Sequence, residues 1–420
     1  MGERASRGPW IPAPGVGVSL FACAASLCLG AALLFSDAIG AKSPAAPEPL
    51  PPLRPVTAAQ RLDALKRARV REEVDVASRD LYHGPRGVLS FGVDEEIRCD
   101  FVPRPIRGWS EKFFCRLDDG RVFKVKYVEN DRFKEVYGEV LGTRLFWALG
   151  FYTDRQLPVR VTCRGCPRHP WEWVNAGNNP HKLNAEGAIQ PLPPEAEVGT
   201  YTFDPAAIEE PVDAAWIEER PGEGVAWRSL DLVDASAGGA SKADLDALRL
   251  LAAFIQCADN SAEQNVLACP RGEILGKEPG LASVCRRPIV YVGDLGAVFG
   301  HGGLTTAFSG RVDYDGWKAL SVWRDADTCT ARLNSIGGPL RPSTLRHPVI
   351  GEAGRALLAS LLGRLSDRQI ADLFRAARIE RLHQTIWEHG REHEVTLDDW
   401  VALFRKKREE ITRHPGCPRP

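Results

Sequence analysis

Lys124 and Lys126 stand two residues apart in the stretch VFKVK, and Glu135 and Glu139 stand four apart shortly after it. Alternation along a strand places both ammonium groups on one face, and helical spacing places both carboxylates on one face. A Glu on a helix behind a Lys-bearing strand can hold that Lys by a charge-assisted bond. Further on, CADNSAEQN (Cys257 to Asn265) gathers Asp259, Gln264 and Asn265 into one short stretch. VGDLGAVFG then sets Asp294 between an apolar run and the glycines Gly296 and Gly300. Moving a phosphoryl group off a nucleotide needs parts of these kinds: a cation on the phosphates, a carboxylate orienting it, a base beside the acceptor hydroxyl, and oxygens on magnesium. Each part alone has a plainer reading. Edge-strand lysines face solvent as gatekeepers, Asp259 to Asn265 is a polar helix terminus, and Asp294 is a turn residue after a strand. Their joint order is less easily produced by chance.

The elements that must carry these groups are suggested by periodicity. Val56 to Asp80 has helical spacing with Thr57 as N-cap. The runs GVLSFGV, IRCDFV, KFFCRL and RVFKVKY alternate as antiparallel strands, with Asp118-Asp119-Gly120 as one turn. Arg132 to Leu149 is an apolar-faced helix stopped by Gly150, and Gln156 to Thr162 is a further strand. Residues 163 to 212, rich in Pro, Gly, Asn and Trp, are expected to be an insertion of loops in which Trp171 and Trp173 simply pack. Ala214 to Ile217 is a short strand, and Lys242 onward a helix capped by Ser241 that runs into Asp259. Asn265 to Ala268 and Ile289 to Val292 form a small hairpin. Helices are expected over Glu352 to Leu365, Asp367 to Arg378, Ile379 to His389 and Leu397 to Thr412, the second opened by a Ser366/Gln369 capping box. The division that follows is 1–41, 42–80 as linker and surface helix, 81–220 as a strand-rich lobe with the 163–212 insert, and 221–420 as a helical lobe. A cleft between two such lobes is where a ligand belongs.

Composition bounds the possibilities. The chain has 420 residues, 54 basic against 55 acidic side chains and a net charge of −1, so no nucleic-acid partner is expected. One Met, 31 Pro and 39 Gly suit a GC-rich bacterial gene. Arg4 and Arg7 precede Val16 to Ser36, which carries no charge and is followed by a Pro/Ala-rich linker. This is the pattern of an export signal, with small residues at Ala38 and Gly40 for cleavage, or of a membrane anchor that leaves the remainder outside the cytoplasm. Of the eleven Cys, the pairs Cys99/Cys115, Cys163/Cys166 and Cys269/Cys285 have short-loop spacing suited to disulfides in an oxidising compartment.

VFKVK, GEVLGTRLFWALGF, ADNSAEQN and GDLGAVFG, in that order over residues 84 to 380, resemble the atypical protein-kinase-like group. That group includes secretory-pathway kinases, bacterial persistence-toxin kinases and type II phosphatidylinositol 4-kinases, and the chain also looks like exported bacterial proteins with such a domain. The resemblance implies an α+β, two-lobed protein-kinase-like fold with a strand-rich first lobe and a helical second lobe. It implies ATP and Mg2+ or Mn2+ in the cleft, and phosphoryl transfer to a hydroxyl of a protein, lipid or glycan in the bacterial cell envelope. Lys124 becomes the phosphate-binding lysine with Lys126 its rival, Glu139 its ion-pair partner, Asp259 the base and Asp294 the metal ligand. Gly108 lies in the roof over the phosphates and Gly296 in the loop beneath them. Two departures stand out. Gln264 occupies the position five after Asp259 where many kinases carry Asn, with Asn265 one residue late, so both are candidate second ligands. Ser261 replaces the usual positive residue two after Asp259. These departures keep a catalytically inactive binding module as the alternative, with an unrelated disulfide-stabilised protein as the third reading.

Overall fold

Alternating apolar residues in EIRCDFV, KFFCR and VFKVKY build β1 (Glu96–Val102), β2 (Lys112–Arg116) and β3 (Val122–Tyr127), joined as antiparallel neighbours. Gly120, at φ 88°, makes the turn between β2 and β3 that a side chain would strain. The computed structural model describes residues 50–418 apart from 51, 54–55, 88, 130–133, 178–182, 185–186, 276–284, 303–311, 336–341 and 389. The apolar segment Val16 to Ser36 and its cleavage site lie outside the described residues. Among the described residues no helix is long and apolar enough to cross a membrane. The described residues belong to one compact unit.

Two longer strands, β4 (Arg155–Cys166) and β5 (Gly199–Glu210), complete a closed five-stranded barrel in the order β1-β2-β3-β5-β4. Among the described residues its one parallel pair is β1 with β4, which closes the ring. Phe113, Phe123, Val125, Val159, Val161 and Phe203 are among the side chains that fill the interior. The strand β5 corrects the expectation that 163–212 is loop throughout. Its outer half, Gly199 to Phe203, alternates weakly, and Pro205 interrupts the run, yet the strand pairs with both β3 and β4. A Pro is tolerated where the ladder does not need its missing N–H. Between β4 and β5 lies the short helix α3 (Pro170–Val174), and α1 (Ala58–Lys66) precedes the barrel with Thr57 closing a capping box.

The helix α2 (Glu135–Ala148) is buried nearly all round, as a helix enclosed on several sides must be. It packs against β4 and β5 on the barrel side and against α7 (Asp367–Ala376) on the other. The helical region adds α4 (Lys242–Phe254), the short α5 (Tyr314–Lys318), α6 (Glu352–Gly363) and α8 (Leu397–Thr412), with α4 against α6 and α8 against both α6 and α7. A small sheet of β6 (Ala214–Trp216), β7 (Asn265–Pro270) and β8 (Ile289–Val292) supports the loops that carry Asp259 and Asp294. Two further hairpins pair β9 (Trp323–Asp325) with β10 (Thr330–Ala331), and β11 (Thr385–Glu388) with β12 (Arg391–Glu394).

Three other expectations change. Helical spacing from Val56 to Asp80 yields α-helix only to Lys66 and a single 3-10 turn at Val76–Ser78. Beyond it the backbone is drawn out because Arg69 exchanges hydrogen bonds with Pro288 and Val290 beside β8. No strand forms in the described part of GVLSFGV, where Gly92 N–H donates to the Glu95 carboxylate in a turn. Ile379 to His389 is a short 3-10 turn followed by β11, because Arg378 enters it and His383 leaves it in left-handed conformations (φ 60° and 43°) that break the helix.

Disulfides join Cys99 to Cys115 and Cys269 to Cys285 as the spacing suggests, and Cys329 to Cys417 across 88 residues. Three bridges fit an oxidising, extracytoplasmic environment. Cys163 and Cys166 remain free and buried, with Cys163 Sγ packed 3.8 Å from Cys115 Sγ, so that expected pair does not form.

Candidate functional site

On β3 the apolar Phe123, Val125 and Tyr127 point into the barrel, which turns Lys124 and Lys126 outward toward α2. There Lys126, 3% exposed, forms an ion pair with Glu139, which is 0% exposed. Glu135, one turn earlier on α2, lies 3.5 Å from the same ammonium, and Glu209 of β5 lies 3.8 Å away. Lys124 instead meets Glu209 at 2.5 Å, directly across the β3–β5 register. The lysine paired with Glu139 is therefore Lys126, which corrects the assignment of that partnership to Lys124. The reason is position along the strand: Lys126 lies two residues further toward the start of α2, while Lys124 faces its neighbour on β5. Burial works against the Lys126 ammonium, but Glu139, Asp294 and Glu209 outweigh it and hold it above the ordinary lysine value. Burial pushes the Glu139 carboxyl up, to about 8, against the pull of Lys126.

Asp294 follows β8 and reaches the same cluster because of glycines. A Cβ on Gly138 of α2 would stand 2.3 Å from Gly296 O, and one on Gly142 would stand 2.6 Å from Leu295 Cβ. A side chain on Gly296 would meet Glu135 Cγ at 2.2 Å. The Asp294 loop thus lies directly on α2, an approach only glycine on both surfaces allows. The Gly296 N–H donates to Asp294 Oδ1 at 3.2 Å. Burial raises the Asp294 carboxyl, yet Lys126, Lys112, this hydrogen bond and Lys124 together keep it below the ordinary aspartate value.

The loop from Cys257 to Asn265 is tied to the Asp294 loop through backbone. Ala258 N–H donates to Ala297 O at 2.9 Å, Gly293 N–H to Gln264 O at 2.8 Å and Phe299 N–H to Ile255 O at 2.6 Å. Burial pushes the Cys257 thiol up, and the charges of Asp259, Asp294 and Glu139 add to that. The side chains beyond Asp259 are engaged structurally. Gln264 Nε2 donates to Asp259 Oδ2 at 3.1 Å, and Asn265 Nδ2 donates to Val225 O at 2.9 Å. Asn260 Oδ1 accepts from the Thr344 and Leu345 amides and the Ser343 hydroxyl.

For a divalent cation the better donor set is elsewhere. Glu135, Glu139 and Asp294 each offer a carboxylate oxygen, all within 4.8 Å of one another. Glu139 Oε2 is buried and accepts no hydrogen bond among the described residues. Three hard oxygen donors are of the kind magnesium or manganese takes, and the Lys126 ammonium lies against the Glu139 and Glu135 carboxylates of the set. Gln264 and Asn265 are not in this set.

Sequence reasoning missed Lys112 and Glu209 and gave Glu135 no role. Lys112 was recoverable: the turn at Gly120 pairs Arg116 with Val122, and counting outward sets Lys112 opposite Lys126. Glu209 was hidden in the Pro-rich insert. Gly108 lies in the loop between β1 and β2 at φ 129°, where an added Cβ would stand 2.5 Å from Lys112 Nζ.

No protein-family model matches the chain, and no curated protein matches it. Among solved structures, one described as the Helicobacter pylori proinflammatory kinase CtkA is similar at a TM-score of 0.36 and 8% identity, covering 77% of this chain and 94% of that one. A likeness this slight assigns neither fold nor activity.

Proposed function

We propose that the cleft between barrel and helical region binds a magnesium or manganese nucleotide and transfers its terminal phosphoryl group to a hydroxyl of a protein, lipid or glycan. One arrangement carries the proposal: a buried lysine, Lys126, is held by Glu139 beside Asp294, with carboxylate oxygens of Glu135, Glu139 and Asp294 clustered around one point. Lysines in such a place hold phosphate oxygens, and the fixed Glu139 keeps Lys126 extended toward them. Glu135, Glu139 and Asp294 would hold the cation, which supplies neutralising charge on the phosphates when bound. Asp259, on the neighbouring loop, is the group to orient an acceptor hydroxyl and take its proton. The chain's own contribution is positioning and fixed charge, which is most of what phosphoryl transfer demands.

One observation favours a second reading, nucleotide binding without turnover. The Gln264 amide already hydrogen-bonds the Asp259 carboxylate, and Asn265 is spent on Val225.

The test is the melting temperature of the purified chain with MgATP and with MnATP, followed by transfer of labelled phosphate. Binding that Lys126→Met and Asp294→Asn abolish supports the proposal. Transfer lost in Asp259→Asn separates enzyme from binding module. A wild-type chain that neither binds nor shifts its melting with either nucleotide complex overturns both.

A further inference from the structure

Three lysines of β2 and β3, not two, bear on Asp294, and they are not equivalent. Lys124 is matched by Glu209 at 2.5 Å and Lys126 by Glu139. Lys112, opposite Lys126 in the β2–β3 register, has no carboxylate within 4.0 Å of its Nζ among the described residues. Its polar neighbour is Ser110 Oγ at 3.4 Å, and its Nζ stands 5.6 Å from the centroid of the Trp171 ring. The roof loop presses on this ammonium, since Gly108 at φ 129° leaves only 2.5 Å between Lys112 Nζ and the place a Cβ would occupy. Any larger residue there would push loop or lysine away.

We propose that Lys112, carried by β2, is a phosphate-chain ligand of the nucleotide site, set in place by Gly108 and Trp171. The proposal rests on the nucleotide-binding reading given above. The roof lacks the Gly-x-Gly-x-x-Gly pattern whose loop covers phosphates in protein kinases. A lysine carried by β2 and covered by a single glycine offers an alternative cation at the same place. The site's charges point the same way. Burial, followed by repulsion from Lys126 and Lys124, pushes Lys112 down to about 7, and Asp294 and Glu209 compensate only in part. A polyphosphate arriving between the three lysines is the counter-charge that Lys112 lacks, whereas Lys124 and Lys126 already possess theirs. Trp171, from the segment expected to be loop packing, then has a second role as the wall that keeps Lys112 turned inward.

The experiment measures affinity of the full chain for MgATP, MgADP and adenosine in the wild type, Lys112→Met, Lys112→Arg and Lys126→Met. Lys112→Met is expected to weaken MgATP binding about tenfold or more, the size of a lost charge-assisted contact, and to leave adenosine binding unchanged. Lys112→Arg recovers most of the MgATP affinity. Because Met replaces a cation without a close partner, Lys112→Met melts at or above the wild-type temperature, so a loss of binding is not unfolding. If Lys126→Met abolishes MgATP binding while Lys112→Met matches the wild type, the Lys112 assignment falls and the nucleotide reading stands. Loss of adenosine together with MgATP also overturns it, since Lys112 then shapes the pocket and does not serve the phosphates. A wild-type chain that binds none of the three overturns the reading and the assignment together.

Discussion

The two sides of the proposed site are built differently. On the barrel side, β2, β3, β5 and α2 contribute Lys112, Lys124, Lys126, Glu209, Glu135 and Glu139, a dense set of opposite charges with little exposure. On the helical side, the loop from Cys257 to Asn265 is just as polar, yet its amides serve the fold: Asn260 caps 343–345, Asn265 holds Val225 and Gln264 covers Asp259. Buried charge is costly without binding or catalytic use, whereas a buried amide that satisfies backbone groups is ordinary structural work. The contrast is that the barrel side carries fixed charges of both signs, while the amides of the helical side serve the fold. Substitutions on the two walls should therefore part company in what they disturb.

The largest effect is expected from Glu139→Ala, which leaves Lys126 buried without its main partner. It should lower unfolding free energy by about 3 kcal/mol in denaturant titration, the low end for a broken buried pair because Glu135 and Glu209 remain within 4.0 Å. It should also eliminate nucleotide binding. On the opposite wall Asn260→Ala strips an acceptor from the Thr344 and Leu345 amides and should cost about 2 kcal/mol. Its signature is different: melting falls, while nucleotide affinity measured well below the melting temperature stays near wild type. If Asn260→Ala abolished binding at a temperature where it is folded, the division between the walls would be wrong.

Gly138→Ala probes the seam where the walls meet. Its added methyl would fall 2.3 Å from Gly296 O, so the Asp294 loop must lift off α2. A stability loss of about 1–2 kcal/mol is expected, with metal affinity, followed by Mn2+ titration, reduced more than nucleoside affinity. Equal metal affinity in Gly138→Ala and wild type would show that Asp294 does not depend on this packing.

How much of this was legible beforehand follows the same division. Local rules spoke clearly where one element decides the outcome: Ser241, Ser366 and Thr57 do open helices with capping boxes, and Asp294 does end a strand before glycine. The acid pair Glu135/Glu139 could be placed on one helix face by counting alone. Which lysine meets Glu139 could not, because the choice between Lys124 and Lys126 turns on where β5 lies, and β5 was hidden in a stretch that looked like loop. Glu209 was lost for the same reason: Pro205 and a weak alternation mask a strand that only barrel closure stabilises. The Cys329–Cys417 bridge spans 88 residues and has no local signal. The Ile379 turn failed for a backbone reason, two left-handed residues that helical periodicity cannot reveal.

The smallest change in stability, and the sharpest test of the contrast, belongs to Gln264→Ala. Gln264 is only partly buried and its amide donates to Asp259 Oδ2 at 3.1 Å, so its removal should alter stability by no more than about 0.5 kcal/mol. What it changes is the freedom of Asp259. If the helical wall can take a proton from an acceptor, releasing the carboxylate from this hydrogen bond alters the rate of phosphate transfer while leaving MgATP affinity in place. A decrease marks Gln264 as the group that orients the base, and an increase marks it as a restraint on it. Transfer that is absent in the wild type and in Gln264→Ala alike, with MgATP bound by both, would mean the helical wall contributes no chemistry and the cleft is a binding site whose barrel side does all the work.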